Sequence, residues 1–522
     1  MFRRTIYFFV LLLAFPFFVW AEAITYRADR LEGDVVNGQS CKKLAGNVVF
    51  TFQSNGMVLT ADTACKYDDQ KLIEASGNVK IVDQEGNVIK SALLTYYLEK
   101  KQAVFEKDVS YTSKKATFYT STLIYDTEKK QGKFLKGGKL IQDQMVLTSS
   151  MGLYDGANHQ VTFSDKVVLV DPSYTLDCEK LNYHTESEIA YFQGATKIVH
   201  QDGVLTTATG GHYLVPKKEL AFDHGTLTTK DVILTADRLA LLNGQDCAAT
   251  GHVSLHAQKH DAVIVGEKAT YTEKEKKGVI TGHPLLTKIV DNETMYLRAD
   301  KFIVLEKKIQ NQPPAQEIHA LDHVRLYQQD LQGIADGAVY NSGDNTIHLH
   351  SKPVIWCSNY QITGEEVSLV IEEGEQAKLF VDKNLFMASA DPVGNYNQVK
   401  GHKMVASFKS GVIEKMSITG NSESLYFALG DKNELMGMNH IKCDSMEMTM
   451  VDNELEQMKC NPKPIGVFHP VEKLEENQMK LDGFVWHGEQ WPTKENILEV
   501  LPTADTERMS TSNTPLQSKE LS

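Results

Sequence analysis

Residues 59–67 read LTADTACKY, and residues 74–83 read EASGNVKIVD. In the second stretch the apolar Val79 and Ile81 alternate with polar neighbours, as in a strand that has one apolar and one solvated face. Polar residues separate the two stretches, so they predict a strand, a turn and a second strand.

The same two-part unit recurs along the chain. Clear copies combine residues 26–29 with 45–50, 234–237 with 250–255, and 297–300 with 322–326. Weaker copies fill the intervals, and the spacing stays near about 30 residues, which is typical of solenoids and stacked arrays. One two-strand unit cannot bury its own apolar face, whereas consecutive units stacked at about 4.8 Å per strand share a continuous apolar interior. A β-sandwich with an ordinary filled core is the alternative, and the regular period favours the stack.

The N-terminus has the pattern of a signal peptide. Arg3 and Arg4 precede an apolar run over residues 6–20, followed by small-residue cleavage patterns that end at Ala21 and Ala23. We expect residues 1–23 to be removed on secretion, with an uncleaved signal anchor as the alternative. The tail, residues 502–522, is rich in Ser, Thr, Glu and Lys and is expected to be disordered.

Charge and motifs argue against several classes of function. The formal net charge of −14 opposes binding to nucleic acid. The chain has no P-loop, no G-x-S-x-G elbow and no H-E-x-x-H motif. His348 and His350 could share a strand face, but they lack a nearby third ligand and are interpreted as surface residues. We therefore predict no catalytic residues, no metal and no cofactor.

The recurring Ala-Asp...Tyr and Ala-x-Gly-Asn-Val elements resemble the repeat of the OstA-like/LptA family of periplasmic lipopolysaccharide-transport proteins. The resemblance is strongest at residues 24–100 and 230–340, and it fades between 110 and 220. Residues near the C-terminus are similar to a longer OstA-like variety with a second β segment. The expected organisation is an OstA-like stack over residues 24–385 and a second OstA-like segment over 386–501.

This resemblance implies an all-β fold, a stacked β-jellyroll or folded-over β trough of about a dozen two-strand repeats. It also implies a periplasmic bridge protein that carries lipopolysaccharide towards the outer membrane and shelters its acyl chains in the trough. The implied location is the periplasm, with outer-membrane association left open. A secreted structural or adhesin scaffold and a carbohydrate-active β-helix enzyme remain the alternatives.

The implied partners are lipopolysaccharide and the inner-membrane and outer-membrane transport proteins, joined through edge strands, with head-to-tail self-association as a further option. An exposed edge strand is a template for pairing with another chain. Residues 24–31 are predicted to form the first mature strand, which alternates in character and contains no Pro. This strand is therefore the predicted N-terminal joining edge.

Two sets of candidate site residues follow. The inward positions predicted to line a lipid groove share one strand phase: Phe50, Leu59, Val79, Ile81, Val253, Leu255, Val324 and Leu326. A plain core is the alternative for all of them. The seven cysteines include two pairs that flank predicted turns, and these are the candidate disulfides: Cys41 with Cys65 and Cys443 with Cys460. Buried free thiols are the alternative for these pairs.

Overall fold

The computed structural model describes residues 24–499, apart from positions 37, 53–55, 83–85, 114–115, 127–128, 185, 259–260, 291–292, 308–314, 372–375, 410–411 and 452–453. Strands account for 74% of it and helix for 3%, so the fold is all-β as predicted. The expected signal peptide and the expected disordered tail lie outside the described residues. The helices within the described ranges are too short to cross a membrane.

The chain forms two compact units, of which the first ends at Ala249 and the second begins at Thr250. The strands of the first unit are β1 (Ile24–Arg27), β2 (Arg30–Val36), β3 (Gln39–Phe52), β4 (Met57–Tyr67), β5 (Leu72–Val82), β6 (Val88–Tyr97), β7 (Gln102–Thr112), β8 (Thr117–Asp126), β9 (Gln131–Phe134), β10 (Gly138–Gln142), β11 (Met145–Ser149), β12 (Met151–Asp155), β13 (Gln160–Val170), β14 (Tyr174–His184), β15 (Ile189–His200), β16 (Gly203–Thr207), β17 (Gly210–Leu214), β18 (Glu219–Thr228) and β19 (Val232–Leu242). β20 (Asp246–Ala257) contains the boundary between the units.

The second unit continues with antiparallel strands and ends in short turns. Its strands are β21 (Ala262–Thr272), β22 (Lys277–Thr281), β23 (Leu285–Val290), β24 (Glu293–Arg298), β25 (Lys301–Lys307), β26 (Ala315–Gln328), β27 (Leu331–Asn341), β28 (Thr346–His350), β29 (Val354–Cys357), β30 (Tyr360–Thr363), β31 (Glu366–Ile371), β32 (Gln376–Ala390), β33 (Tyr396–Lys409), β34 (Val412–Leu429), β35 (Leu435–Val451), β36 (Glu454–Asn461) and β37 (Ile465–Pro470). Three 3₁₀ turns, Val471–Lys473, Glu476–Gln478 and Gly488–Gln490, and the helix α1 (Lys494–Leu498) follow.

Many long strands bend near their middle. The two halves of such a strand then pair with different neighbours and lie in the two facing layers, or walls, of the fold. The first half of β3 pairs with β2 and its second half pairs with β1. The register between β3 and β4 shifts between Ala45 and Val48, at this bend. A strand that folds over in this way gives the two walls of a β-jellyroll, and the fold predicted from the repeats is confirmed.

The bend is made by consecutive residues in the left-handed region. At the bend of β5, Gly77 has φ 75° and Asn78 has φ 45°. A Cβ at Gly77 would overlap the carboxylate of Asp62 on β4, and that carboxylate accepts a hydrogen bond from Asn78 Nδ2 at 2.9 Å. Glycine is required here because the position needs both a positive φ and room for the Asp62 side chain. The recurring Ala-Asp and Gly-Asn elements are therefore partners across one strand pair.

The same corner recurs along both units. Asp29, Gly46 and Asn47 repeat the arrangement on β3, with an Asn47 Nδ2 to Asp29 Oδ2 distance of 2.9 Å. Other pairs of consecutive left-handed residues stand at 107–108, 165–166, 251–252, 282–283, 322–323, 351–352, 383–384 and 420–421. The expected domain boundary at residue 385 directly follows the corner in β32 and stays a prediction.

The first predicted strand needs a correction. The sequence predicts one strand over residues 24–31, but the chain breaks at Ala28 and Asp29 into β1 and β2. The strand breaks at the corner formed by Asp29, Gly46 and Asn47, because the backbone N–H of Asp29 donates there to the carbonyl of Gly46 at 2.9 Å. In the described part of the chain both pieces pair only with β3, so they form an edge.

Candidate functional site

The interior of the first unit contains a continuous row of apolar side chains in cross-strand register, which we call the first row. Its members are, in order of pairing, Phe50, Leu59, Ile81, Ile89, Tyr111, Phe118, Leu140, Leu147, Leu169, Leu176, Ile198, Leu205, Leu227 and Leu234. Every member is buried. Because neighbouring strands are about 4.8 Å apart, the row forms a continuous apolar path through the unit.

A second row follows the other halves of the strands, and in it phenylalanines alternate with glycine or leucine. It contains Phe134, Gly152, Phe163, Leu181, Phe192, Gly211, Phe222 and Leu239. The Phe134 ring lies where a Cβ of Gly152 would stand, and the Phe222 ring lies close to Gly211 in the same way. These rings fill the space that the glycines leave, so this part of the interior is filled by the chain's own side chains.

The second unit has an equivalent interior row, the third row. Its members are Ile264, Leu286, Leu297, Leu326, Gly333, Ile355, Ile362, Met387 and Val399. All but Gly333 are apolar side chains, and the interior is again continuous from strand to strand. Each unit by itself therefore has the uninterrupted apolar interior that the repeats predict.

The structure places the predicted groove residues on these interior faces. Phe50, Leu59 and Ile81 are consecutive in the first row, and Leu326 lies in the third row. The three valines Val79, Val253 and Val324 are buried beside the corners, and Leu255 is half-buried. Their contact with lipid stays a prediction.

These interior positions are closed in this structure. Seven of the eight predicted groove residues have at most 2% of their surface exposed, and the eighth is Leu255. Side chains with so little exposed surface are packed against protein atoms over most of their surface.

Burial keeps several ionisable groups of this interior neutral. Burial raises the pKa of the Cys178 thiol to about 12, and it also raises the pKa of the Tyr125 and Tyr174 hydroxyls above their ordinary values. Burial disfavours the charged form of a thiol or phenol. The interior therefore suits an apolar occupant.

His348 and His350 lie on the exposed face of β28, with the buried Leu349 between them. His348 Nδ1 is 2.8 Å from the Ser368 hydroxyl, and His350 Nδ1 is 3.2 Å from that of Ser351. Within the described ranges, no three side chains of His, Cys, Asp or Glu are grouped so that they could hold a metal ion.

Residues 471–499 cover part of the outer face of the second unit, and we call this segment the strap. The sequence analysis did not predict it. Three buried glutamines on three strands bind it, two of them through its backbone and the third through a side chain. The Gln398 amide donates to Met479 O at 2.9 Å and accepts from Leu481 N at 2.8 Å. The Gln361 amide donates to Val485 O at 2.8 Å and accepts from His487 N at 2.6 Å.

Aromatic contacts and a third glutamine complete the strap. Trp491 stacks on Trp356 with ring centroids 5.9 Å apart, and its Nε1–H donates to Gln332 Oε1 at 2.9 Å. Arg298 donates to the carbonyls of Ile497 and Glu499. The signal that could have located the strap is the buried Gln at an otherwise apolar strand position, because a buried amide needs polar partners.

A cavity of about 850 Å³ lies between the strap and the corners of the second unit. Val324, Ile334 and Val354 line it on the sheet side, and Trp491 lines it on the strap side. Val324, one of the predicted groove residues, thus borders both this cavity and the corner.

Comparison with known proteins agrees with this architecture. A family model described as "OstA-like protein" matches residues 22–179. A second, described as "LptA/(LptD N-terminal domain) LPS transport protein", matches residues 263–375. The two matched regions of the chain belong to the OstA-like/LptA family. The first OstA-like match includes residues 110–179, where the repeat elements are weaker in sequence.

A search of curated proteins finds no match to this chain. One similar solved structure is that of LptH from Pseudomonas aeruginosa, described as the LptA homologous periplasmic component of the lipopolysaccharide transport device. It is 15% identical, the match covers 28% of this chain and 96% of that chain, and the TM-score is 0.16.

Proposed function

We propose that this protein is a periplasmic lipid-binding bridge that carries lipopolysaccharide towards the outer membrane and shelters the acyl chains between the two walls of its β-jellyroll. The observation that supports this most directly is the uninterrupted apolar row from Phe50 to Leu234, in a chain that also matches, at residues 263–375, a family described as a lipopolysaccharide-transport protein. The matches favour this function over an adhesin scaffold or a carbohydrate-active enzyme.

The energetic argument concerns the acyl chains. At about 0.8 kcal/mol per buried CH₂, a chain of about a dozen carbons gains on the order of 10 kcal/mol by leaving water. Successive strands offer chemically similar contacts, so movement from one strand to the next changes the free energy little. The directional work must come from another component, since this sequence has no P-loop.

The test is site-specific photo-crosslinking to purified lipopolysaccharide. A photoreactive residue at Ile81 or Leu59 should capture the lipid, whereas the same residue at Lys80 or Asn78, on the exposed face, should not. Equal capture at both sets would reject the interior as the lipid site. A filled structural core would instead give loss of stability at Ile81 and no capture at either set.

We further propose that partners join through the strand edges at the two ends of the chain. β1 and β2 present an edge with Leu31 57% and Val35 67% exposed. At the C-terminal end, β36 and β37 both pair with β35, and Ile465 on β37 is 68% exposed. Exposed apolar side chains on unpaired edges are typical of sites for strand addition.

Charge placed on the edge tests this proposal. Leu31→Lys with Val35→Lys should weaken capture of the inner-membrane and outer-membrane transport proteins, because charged edges oppose pairing. Leu135→Lys is the matched control, since Leu135 is 56% exposed but lies in a turn. Circular dichroism should be unchanged in both. Unchanged partner capture by the edge variant would reject joining through β1 and β2.

A further inference from the structure

A row of side chains on the outer face of the second unit runs in cross-strand register beside the third row, and we call it the outer row. Its members are, in order of pairing, Arg325, Ile334, Val354, Thr363 and Phe386. Each is next in sequence to a member of the third row, and adjacent residues of a strand point to opposite faces. The outer row therefore faces away from the jellyroll interior. After the charged Arg325 it continues over four strands, a distance of about 14 Å at about 4.8 Å per strand.

This row forms one side of the cavity of about 850 Å³ beneath the strap. All five members line the cavity, and Val485 and Trp491 line it on the strap side. The exposed Lys352 and Glu489 are also among its lining residues, so the cavity reaches the surface. Its volume lies within the range of about 300–1,000 Å³ that is typical of small-molecule sites.

The neighbouring outward positions on the same strands are occupied by the strap. Trp356, two residues from Val354, stacks on Trp491. Gln361, two residues from Thr363, binds the strap backbone through its amide. The part of the floor that stays open is therefore one side chain wide, which suits one extended apolar chain.

Arg325 indicates the charge of an occupant. In the described part of the chain its guanidinium has no carboxylate or hydrogen-bond acceptor as a partner. Arg298 stands directly opposite it across β24 and β26, and burial and the charge of Arg325 lower the pKa of Arg298. Arg298 donates to two carbonyls of the strap. Like charges directly opposite each other destabilise a strand pair, so an anion beside Arg325 would relieve this repulsion.

The carboxylates around the cavity do not neutralise Arg325. Asp336 Oδ2 lies 3.9 Å from Lys352 Nζ, and Glu365 Oε1 accepts a hydrogen bond from Asn384 Nδ2 at 2.6 Å. Glu489 is exposed on the strap. Among the described residues, none of the three carboxylates forms an ion pair with Arg325. The cavity thus combines an apolar floor with a cation that has no counter-charge.

We propose that this cavity binds an anionic amphiphile with one apolar chain. Its carboxylate or phosphate head group binds Arg325, and its chain lies along the outer row beneath the strap. A guanidinium presents five N–H donors in a planar fork that matches a carboxylate or a phosphate. Contact of the chain with Ile334, Val354 and Phe386 removes apolar surface from water. The site lies outside the jellyroll interior and does not depend on the proposed function.

The experiment follows tryptophan fluorescence of the exported full-length chain during titration with a brominated fatty acid below its micelle concentration. Outside the expected signal peptide, the tryptophans lie on or beneath the strap: Trp356, Trp486 and Trp491. Bromine quenches a tryptophan only at close range, so saturable quenching is expected. The same fatty acid without bromine is the control for effects other than this contact.

The head group is tested with two further brominated probes of the same chain length. The methyl ester has no charge and should bind about tenfold more weakly than the acid, because it cannot form charge-assisted hydrogen bonds with Arg325. A lysophosphatidate should also bind more tightly than the ester. The tighter of the two anions identifies the head group that the site prefers.

Variants locate the site. Arg325→Gln should weaken binding of the acid about tenfold and leave that of the ester unchanged, and Arg325→Lys should restore part of the loss. Arg238→Gln is the matched control, because Arg238 is an exposed arginine of the first unit. Val485→Phe narrows the cavity from the strap side and should weaken the acid and the ester alike. Circular dichroism should be unchanged in all four variants.

Three outcomes would overturn the proposal: absence of saturable quenching, equal binding of the acid and the ester, or quenching that Arg325→Gln and Val485→Phe leave undiminished. The last outcome would place the fatty acid in the jellyroll interior. Photo-crosslinking of lipopolysaccharide at Ile81 tests the proposed function separately, and its failure would leave these titrations unaffected.

Discussion

The two units contain the same kind of corner and the same kind of interior row, but they differ in how far the residues on their outer faces are buried. On β15 of the first unit, the buried Ala190 and Phe192 alternate with the exposed Tyr191 and Gln193. On β29 of the second unit, all four residues from Val354 to Cys357 are buried. The difference is the strap, because Trp491 stacks on Trp356 from outside the jellyroll. A repeat that buries one face by stacking can therefore bury its second face with a segment from outside the repeat.

The largest expected effect is on stability, when the strap loses its contact with the outer face of the second unit. Trp491→Ala should lower the free energy of unfolding of the second unit by about 3 kcal/mol, because it removes the ring stacked on Trp356 and leaves Gln332 Oε1 without its donor. Tyr191→Ala, on the uncovered outer face of the first unit, should cost less than about 1 kcal/mol. Urea denaturation measures both, with Trp356 and Trp486 as fluorescent reporters of the second unit. Similar small losses at both sites would mean that the strap is not a stabilising layer.

An intermediate effect is expected at the corner that both units share. Gly77→Ala should cost about 2 kcal/mol, because φ is 75° and the new Cβ would overlap Asp62. Adding Asp62→Ala should restore part of the loss, which a double-mutant cycle measures. Gly466→Ala is the control, since its Cβ would meet nothing closer than Ile441 Cγ1 at 3.9 Å. Additive effects of the two substitutions would show that Asp62 does not restrict this position.

The smallest effect concerns two carboxylates whose pKa values are equally low. Burial of Glu423 opposes its ionisation, but hydrogen bonds from Lys442, His440 and Lys400 outweigh burial and lower its pKa to about 2. Hydrogen bonds from lysines also lower the pKa of Asp68 in the first unit to about 2. The side chain of Glu423 is 13% exposed, whereas that of Asp68 is 49% exposed. Solvent therefore weakens the interactions of Asp68 more strongly.

A carboxylate with a lowered folded pKa stabilises the protein above its ordinary pKa, and this contribution is lost as the pH falls towards the folded value. Between about pH 4.5 and 2, the native chain should lose more free energy of unfolding than the Glu423→Gln variant does. The corresponding difference between the native chain and Asp68→Asn should be smaller. Unfolding free energies over this range measure both margins. Equal margins would mean that exposure does not decide what these carboxylates contribute.

The interior rows could be predicted from the sequence because alternation at period 2 is a local signal. Phe50, Leu59 and Ile81 follow from it directly, and their cross-strand register agrees. The break between β1 and β2 could not be predicted, because it depends on the hydrogen bond from Asp29 to a residue on another strand.

The period-2 pattern does not predict the strap either. Its residues have no strand periodicity, and its partners lie far away in sequence, as Trp491 and Gln332 do. The recurring Asp and Gly were visible as separate motif elements, but their contact depends on register. The contact that makes these elements one corner could therefore be recognised only from the structure.

The corners also bear on how a chain of similar two-strand repeats keeps its strands in the correct register and order. Because successive repeats are chemically alike, a strand could slip by two residues or pair with the wrong copy and still keep its apolar face inside, whereas a slip of one residue would expose that face. At Gly46 and Gly77 a slip would bring a side chain against an aspartate that only glycine accommodates, and it would separate the aspartate from its asparagine. Each such corner thus disfavours misaligned pairings that the apolar interior alone would accept.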